Sequence, residues 1–290
     1  MTTTSISNWH NSERALPLSL AVSSLFTVGK RSVIGELKDK LILSGSGALI
    51  CYNGPCLGTD DMDVLMALSH IARGAESSGD TLELHTSFAE LLDVLAWPTQ
   101  ISYYERLDGS LLRLSRAHLN LKELGGPSGR RVKKHVFGTL LGVTKVVENE
   151  DARERSICTP ISKSMLQLWQ DMVRVSWTQR RLLKHSLSRW LQVFVVFGEA
   201  KNRDYLIDEL ISMSSFKGEK REFRRLLKTA GDELILAGFL ASFTVTKLSV
   251  VFVSAINAVG ARALPLIGSQ GVAARRAAMH TINNQLLLGD

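Results

Sequence analysis

The sequence predicts an α+β protein in which one supersecondary unit occurs twice. Three observations predict it. Apolar segments of helical and strand period follow the same order in both halves. Corresponding positions lie close to 120 residues apart, with Ser87 answering to Ile207 and Tyr104 to Phe223. A charged stretch at residues 151–155 breaks the pattern between the halves. The 290 residues, 45% of them hydrophobic, are too apolar for a disordered chain and long enough for two cores. Three cysteines, Cys51, Cys56 and Cys158, are too few for a disulfide scaffold, and their odd number points to a reducing compartment. The first residues lack the apolar core of a signal peptide, so the chain reads as a cytoplasmic protein with a flexible polar arm over residues 1–15.

Each element follows from local signals. Residues 16–29 are apolar and should pack on the first domain. Residues 37–43 and 48–52 flank the turn Ser44-Gly45-Ser46-Gly47 and read as a β-hairpin. Thr59 or Asp60 can cap a helix carrying Met62, Leu65, Met66, Leu68 and Ile71, stopped by Gly74. A short strand at 82–85 leads to a helix through Leu95, capped by Thr86 or Ser87 and ended by Trp97-Pro98. A third helix, about 99–115, carries Tyr104, Leu107, Leu111 and Leu114 as its apolar stripe. Residues 118–124 form a strand, 125–131 a turn, and 132–148 return in β conformation. A connecting helix is expected over 161–172. The second half repeats the order: an apolar helix at 186–197, a short extended piece at 205–207 and a short helix at 207–213. A long helix at 219–237, broken near Gly231, and strands at 239–247 and 248–253 complete it.

This is the order of a winged helix, so the expected fold is a tandem winged-helix protein, two winged helix-turn-helix domains in pseudo-repeat. The domains would span 16–175 and 176–253, with a tail of uncertain structure at 254–290. The most apolar stretch, 248–267, is interrupted by Asn257, Gly260, Arg262 and Pro265. It reads as a buried strand followed by an irregular segment rather than a membrane span.

The formal charge of +7 and pI near 9.4 raise the question of where the cations gather. From Lys217 to Lys228 the sequence KGEKREFRRLLK holds six basic and two acidic residues. On a helix, Phe223, Leu226, Leu227 and Ala230 turn inward, leaving Lys220, Arg221, Arg224, Arg225 and Lys228 on the other faces. Lys217 precedes them. In a winged helix this is the element laid in the major groove, where Arg and Lys suit phosphates and Arg suits guanine. A solvated basic helix face is the plainer alternative. The first long helix offers Gln100, Ser102, Tyr103, Arg106, Ser110 and Arg113 as outward hydrogen-bonding groups suited to base reading, Tyr103 being equally well a half-buried aromatic beside Tyr104. The turn after it places Arg130, Arg131, Lys133 and Lys134 as a phosphate-gripping wing.

Enzyme chemistry is not expected. No Gly-rich loop ends in Gly-Lys-Ser or Gly-Lys-Thr, and Gly45-Ser46-Gly47 lacks the third glycine of a dinucleotide fingerprint. Cys51 and Cys56 have no second pair and no adjacent His pair for zinc. Asp60, Asp61 and Asp63 read as the acidic first turn of a helix. Tyr103-Tyr104 lacks the His-x-His pair of a metal-dependent nicking enzyme. Trp97, Trp169, Trp177 and Trp190 read as core anchors. No catalytic residue, metal or cofactor is expected.

The motifs SSLFTVGKR from Ser23, YNGPCLGTDDMDVLMALSHIAR from Tyr52, WPTQISYYERLDGSLLRLSRA from Trp97, LSRWLQVFVVF from Leu187 and REFRRLLKTAGDELILAGFL from Arg221 occur in this order. Together they resemble the TrfA family of plasmid replication initiators over roughly residues 16–245. The resemblance implies binding to double-stranded repeats (iterons) at the plasmid origin, origin opening, and cooperation with the host initiator and replicative helicase. It also implies monomers as the active form, homodimers in copy-number control, and no membrane partner. The same fold without initiator activity would be a transcriptional repressor. The residues after about Phe243 depart from the family pattern.

Overall fold

The computed structural model describes residues 4–29, 35–42, 44–77, 79–125, 131–148, 155–197 and 203–255. Most of the sequence-predicted tail, from residue 256 on, lies outside them. From residue 4 on, the stretch expected as a flexible arm is built into the fold. Ile6 is fully buried, Trp9 nearly so, and the Trp9 indole donates to His70 Nδ1 at 3.1 Å. Strand β1 (Glu13–Pro17) pairs antiparallel with residues 172–176. A few apolar side chains in a polar stretch are enough to dock it once a partner strand exists, and that strand is more than 150 residues away in sequence.

Strands β2 (Glu36–Ile42) and β3 (Ala48–Pro55) form the expected hairpin. Its turn is anchored by Ser44 Oγ donating to the Ser19 carbonyl at 3.0 Å and Gly45 N–H to that of Val22 at 2.8 Å. Helix α1 (Thr59–Ile71) follows, its N-terminus closed by the Asp61 carboxylate accepting from Gly58 N–H at 2.7 Å. It is buried on nearly all sides, its polar Asp61, Asp63, Ser69 and His70 included. Strand β4 (Thr81–Ser87) alternates exposed and buried residues, and Ser87 Oγ caps α2 (Phe88–Leu95). Helix α3 (Ile101–Arg116) buries Leu107, Leu111 and Leu114, as the stripe predicted.

The next segment departs from expectation. Strands β5 (His118–Gly125) and β6 (Arg131–Thr139) are a hairpin, but they join the first hairpin in a four-stranded sheet ordered β6-β5-β3-β2. The chain then turns at 140–144 instead of running on in β conformation to 148. Strands β7 (Lys145–Glu148) and β8 (Arg155–Ser162) form a second hairpin, which adds to β4 in the order β7-β8-β4. No connecting helix spans 161–172. The end of β8 is followed by two short helical turns, Lys163–Leu166 and Gln167–Gln170, and by β9 (Met172–Ser176), the partner of β1.

The second half contains α4 (Ser186–Phe197), β10 (Arg203–Leu206), α5 (Ile207–Met213), α6 (Lys220–Leu236), β11 (Leu240–Val245) and β12 (Ser249–Ser254). Its antiparallel sheet is ordered β10-β12-β11. The two three-stranded sheets therefore share one plan: the last strand lies between the strand that precedes the helix pair and the strand that follows it. The β5–β6 hairpin is extra in the first copy. It sits between the long helix and the returning hairpin, and it explains why a fixed sequence offset fails beyond α3.

Helix α6 is not broken at Gly231. The glycine is buried, and a Cβ there would lie 2.3 Å from the Phe243 ring. The residue allows β11 to pack closely on the helix, so a close approach, not a helix stop, selects it.

Two hydrophobic cores result. The first gathers around α1 and holds Trp169, Tyr52 and Phe88; the second holds Trp190, Phe223 and Phe252. Val193 of α4 belongs to the first core and Val28 to the second. Backbone bonds also cross, with Val28 N–H donating to the Ser214 carbonyl at 3.0 Å.

Candidate nucleic-acid interface

Helix α6 is amphipathic. Phe223, Leu227, Ala230 and Leu234 anchor it in the second core, and that fixes which cations face outward. Its basic side meets the β11–β12 turn across a cleft of about 420 Å³, lined by Arg221, Arg224, Arg225, Lys228, Val245, Thr246 and Lys247. Five of these seven residues are cations and none is a carboxylate. The turn is held rigid by Thr246 Oγ1, which accepts from Leu248 N–H at 3.2 Å and Ser249 N–H at 2.9 Å. Arg221, Arg225 and Lys228 are exposed, whereas Arg224 is half-buried with no hydrogen-bond partner for Nε. Such clustering of cations, with no carboxylate in the cleft lining, suits a polyanion. Lys217 stands exposed before the helix. Lys220 is instead paired with Asp208 of α5 at 2.7 Å. Lys247 is the member that sequence reasoning did not assign; the signal was a lone cation in the turn after a basic helix.

The first long helix is disposed differently. Gln100 precedes it and Ser102 is exposed, but Ser110 is fully buried. Arg106 makes a two-pronged contact with Asp60, with Nε to Oδ2 at 2.9 Å, and its guanidinium lies 4.4 Å over Trp97. Arg113 holds Asp61 through Nη2 at 2.7 Å and also donates to Ser110 Oγ at 3.0 Å. Tyr103 is half-buried against Trp97. The groups expected to read bases are thus largely spent on fastening α3 to the acidic first turn of α1. Burial is the largest single influence on the Arg106 value and works to lower it, but the hydrogen bond and charge of Asp60, with Tyr103 and Asp63, together outweigh it and hold the guanidinium above its usual range. The exposed residues of α3 include Glu105 and Asp108 alongside Ser102.

The expected wing is corrected as well. Arg131, Lys133 and Lys134 lie on β6, which belongs to the four-stranded sheet; Arg130 lies outside the described residues. Lys134 Nζ donates to the Gln167 carbonyl at 2.5 Å, a structural contact. In sheet topology, the hairpin that corresponds to β11–β12 is β7–β8. The sequence joining those two strands, Asn149 to Glu154, carries three acids and one arginine, so it opposes a phosphate surface.

The third acid of the α1 cluster, Asp63, is sealed inside. Arg180 Nε donates to Oδ1 at 2.6 Å and Arg189 Nη1 to Oδ2 at 3.2 Å. Burial pushes the Arg180 value down despite this pairing. Glu233 of α6 accepts from Ser188 Oγ and His185 Nδ1, at 2.5 and 2.8 Å. Burial favours its neutral form, yet these bonds keep its carboxyl below the usual range. Among the described residues no helix is long and apolar enough to cross a membrane.

A helix rooted in its own core carries a basic cleft against the following turn, and the charge of that cleft suits a polyanion. The chain belongs to the TrfA family of plasmid replication initiators: the TrfA protein family model matches residues 1–245. Among solved structures, it is similar to domains 2 and 3 of RctB, at 14% identity and a TM-score of 0.51, covering 83% of this chain and 98% of that one. A second structure of RctB domains 2–3 matches at 14% identity and a TM-score of 0.44, over 80% and 95% of the two chains. At such identity the likeness speaks for the fold alone. No curated protein sequence matches the chain.

Proposed function

We propose that this initiator binds double-stranded iterons at its plasmid origin through two winged-helix units, the first ending near residue 175 and the second spanning 176–253. The observation that carries the reading is the α6 cleft, with Arg221, Arg224, Arg225, Lys228 and Lys247 and no carboxylate among its lining residues. The second unit supplies most of the phosphate neutralisation, with α6 in the major groove and the β11–β12 turn as wing. The first unit contributes Gln100, Ser102 and the start of α3, while Arg106 and Arg113 hold that helix in place. No bond of the nucleic acid is made or broken. Strand opening beside the repeats, helicase loading with the host initiator, and copy-number control by homodimers are read from family membership.

The test is a footprint of the purified protein on its own plasmid origin, followed by a salt-controlled titration of an Arg224→Ala, Arg225→Ala variant. Loss of about 1–3 kcal/mol for each base contact removed supports the reading. Unchanged affinity at every salt concentration sinks the assignment of α6.

A further inference from the structure

Strand register brings together three side chains that the DNA-binding reading does not use. Cys158 of β8 is the direct antiparallel partner of His85 of β4, and Glu83 lies two residues from His85 on the same strand. Leu82, Leu84 and Thr86, which alternate with them, are buried, so Glu83 and His85 project from the opposite, solvent-facing side. His85 Nε2 lies 3.4 Å from Glu83 Oε2 and 4.0 Å from Cys158 Sγ. One ligand atom from each of the three falls within 4.8 Å of the others.

We propose that Glu83, His85 and Cys158 form a binding site for a divalent cation of the zinc class. A thiolate, an imidazole and a carboxylate are the three ligand types that zinc accepts, and the soft thiolate and the imidazole disfavour magnesium or calcium, which take oxygen ligands. Bonds of about 2.0–2.3 Å at a tetrahedral angle separate ligand atoms by roughly 3.3–3.5 Å. The imidazole–carboxylate pair already has that separation. The sulfur lies about half an ångström too far from the imidazole and, within the 4.8 Å bound, up to about 1.3 Å too far from the carboxylate, a gap that side-chain rotations on a semi-exposed strand close. The backbone fixes the pairing in advance, so the metal orders only side-chain torsions. Lys145, the other cross-strand neighbour of Cys158, is exposed, and its long stem can carry the ammonium away. Three protein ligands leave a fourth position for water or a partner's side chain.

The cation clips β4 to β8, the central strand of the first three-stranded sheet, and removes the Cys158 thiolate from attack by thiol reagents. The site is separate from the α6 cleft and stands whether or not that surface binds DNA.

The experiment is equilibrium dialysis of the reduced, chelator-stripped full chain against Zn²⁺ alone, with thiol alkylation of Cys158 read by mass spectrometry. One equivalent is expected to bind the native chain and the Cys51→Ser, Cys56→Ser variant. Binding weakens at least tenfold in His85→Ala and in Cys158→Ser, and Zn²⁺ slows alkylation of Cys158 in the native chain. The three side chains are solvent-facing, so the metal-free variants keep the native circular dichroism and urea midpoint, which separates lost binding from lost folding. No binding to the native chain, or equal binding by both variants, overturns the site.

Discussion

Arg180 and Asp63 meet in an ion pair in which both side chains are almost completely sealed from solvent, at 2% and 4% exposure. The arginine ends a short helical turn, Trp177–Arg180, and the aspartate stands in the first half of α1, 117 residues earlier. Arg180 also donates to the Arg189 carbonyl at 3.0 Å and to Gln192 Oε1 at 3.2 Å on α4. One guanidinium thus joins the central helix of the first core to the first helix of the second. A buried pair of this kind adds little over an apolar substitute, but breaking one partner strands a charge. We expect Asp63→Ala to destabilise the chain by about 3–5 kcal/mol in urea unfolding. Adding Arg180→Leu to it restores part of that loss. A double variant as unstable as the sum of the singles would contradict the pairing.

Arg106 and Arg113 separate a structural from a DNA-contacting role. Arg106→Ala removes a two-pronged charged contact with Asp60, and a cost of about 1–3 kcal/mol in folding stability is expected. The salt dependence of origin binding should stay as it is. By contrast, Arg224→Ala with Arg225→Ala should flatten the salt slope by about two, with little change in the urea midpoint. Should Arg106→Ala flatten the slope while leaving stability intact, α3 contacts phosphate directly.

His70 makes stability depend on acid. Its ring is buried, accepts from the Trp9 indole and faces the Arg14 guanidinium at 3.3 Å. Burial first, then the charges of Arg14 and Arg73, push its value from 6.5 down to about 3. The folded chain therefore keeps the ring neutral while the unfolded chain takes up a proton below pH 6.5. The stabilisation is fully present above pH 6.5 and is lost as pH falls toward 3, with a slope of up to ~1.4 kcal/mol per pH unit. Urea midpoints at pH 7.5 and 5.0 should differ by an amount equivalent to about 2 kcal/mol from this group, and His70→Gln should remove that share of the difference.

Gly231 offers a sign change. Alanine is the better helix former by about 1 kcal/mol, yet its methyl group would meet the Phe243 ring at 2.3 Å. Gly231→Ala alone is expected to lose about 1–3 kcal/mol through overpacking. In a Phe243→Ala background the same change should become neutral or stabilising. Thermal unfolding of the four proteins of this cycle measures it.

What was legible in the sequence was local. The short strand signal at 82–85 marked β4, the capping signal at Thr86 or Ser87 marked the start of α2, and the Leu107, Leu111 and Leu114 stripe set the inner face of α3. These follow from periodicity and capping, which act over a few residues. The basic run from Lys217 to Lys228 was visible for the same reason; of the cations the stripe turned outward, Arg221, Arg225 and Lys228 are exposed, whereas Lys220 and Arg224 are half-buried. What the sequence could not rank was the partner of each charge. Asp60 and Arg106 are 46 residues apart, Asp61 and Arg113 are 52 apart, and nothing local says that they neutralise one another.

The sequence by itself determined the repeated order of elements, the two apolar cores and the cationic side of α6, because side-chain period and composition act locally. Tertiary structure alone decided three further matters. It assigned the β5–β6 hairpin to a separate sheet, it spent Arg106 and Arg113 on the acids of α1, and it set Cys158 across from His85. The physical reason is common to all three. Strand pairing and ion pairing select partners by proximity in the folded chain, and that proximity is fixed only when distant segments pack to bury the same core.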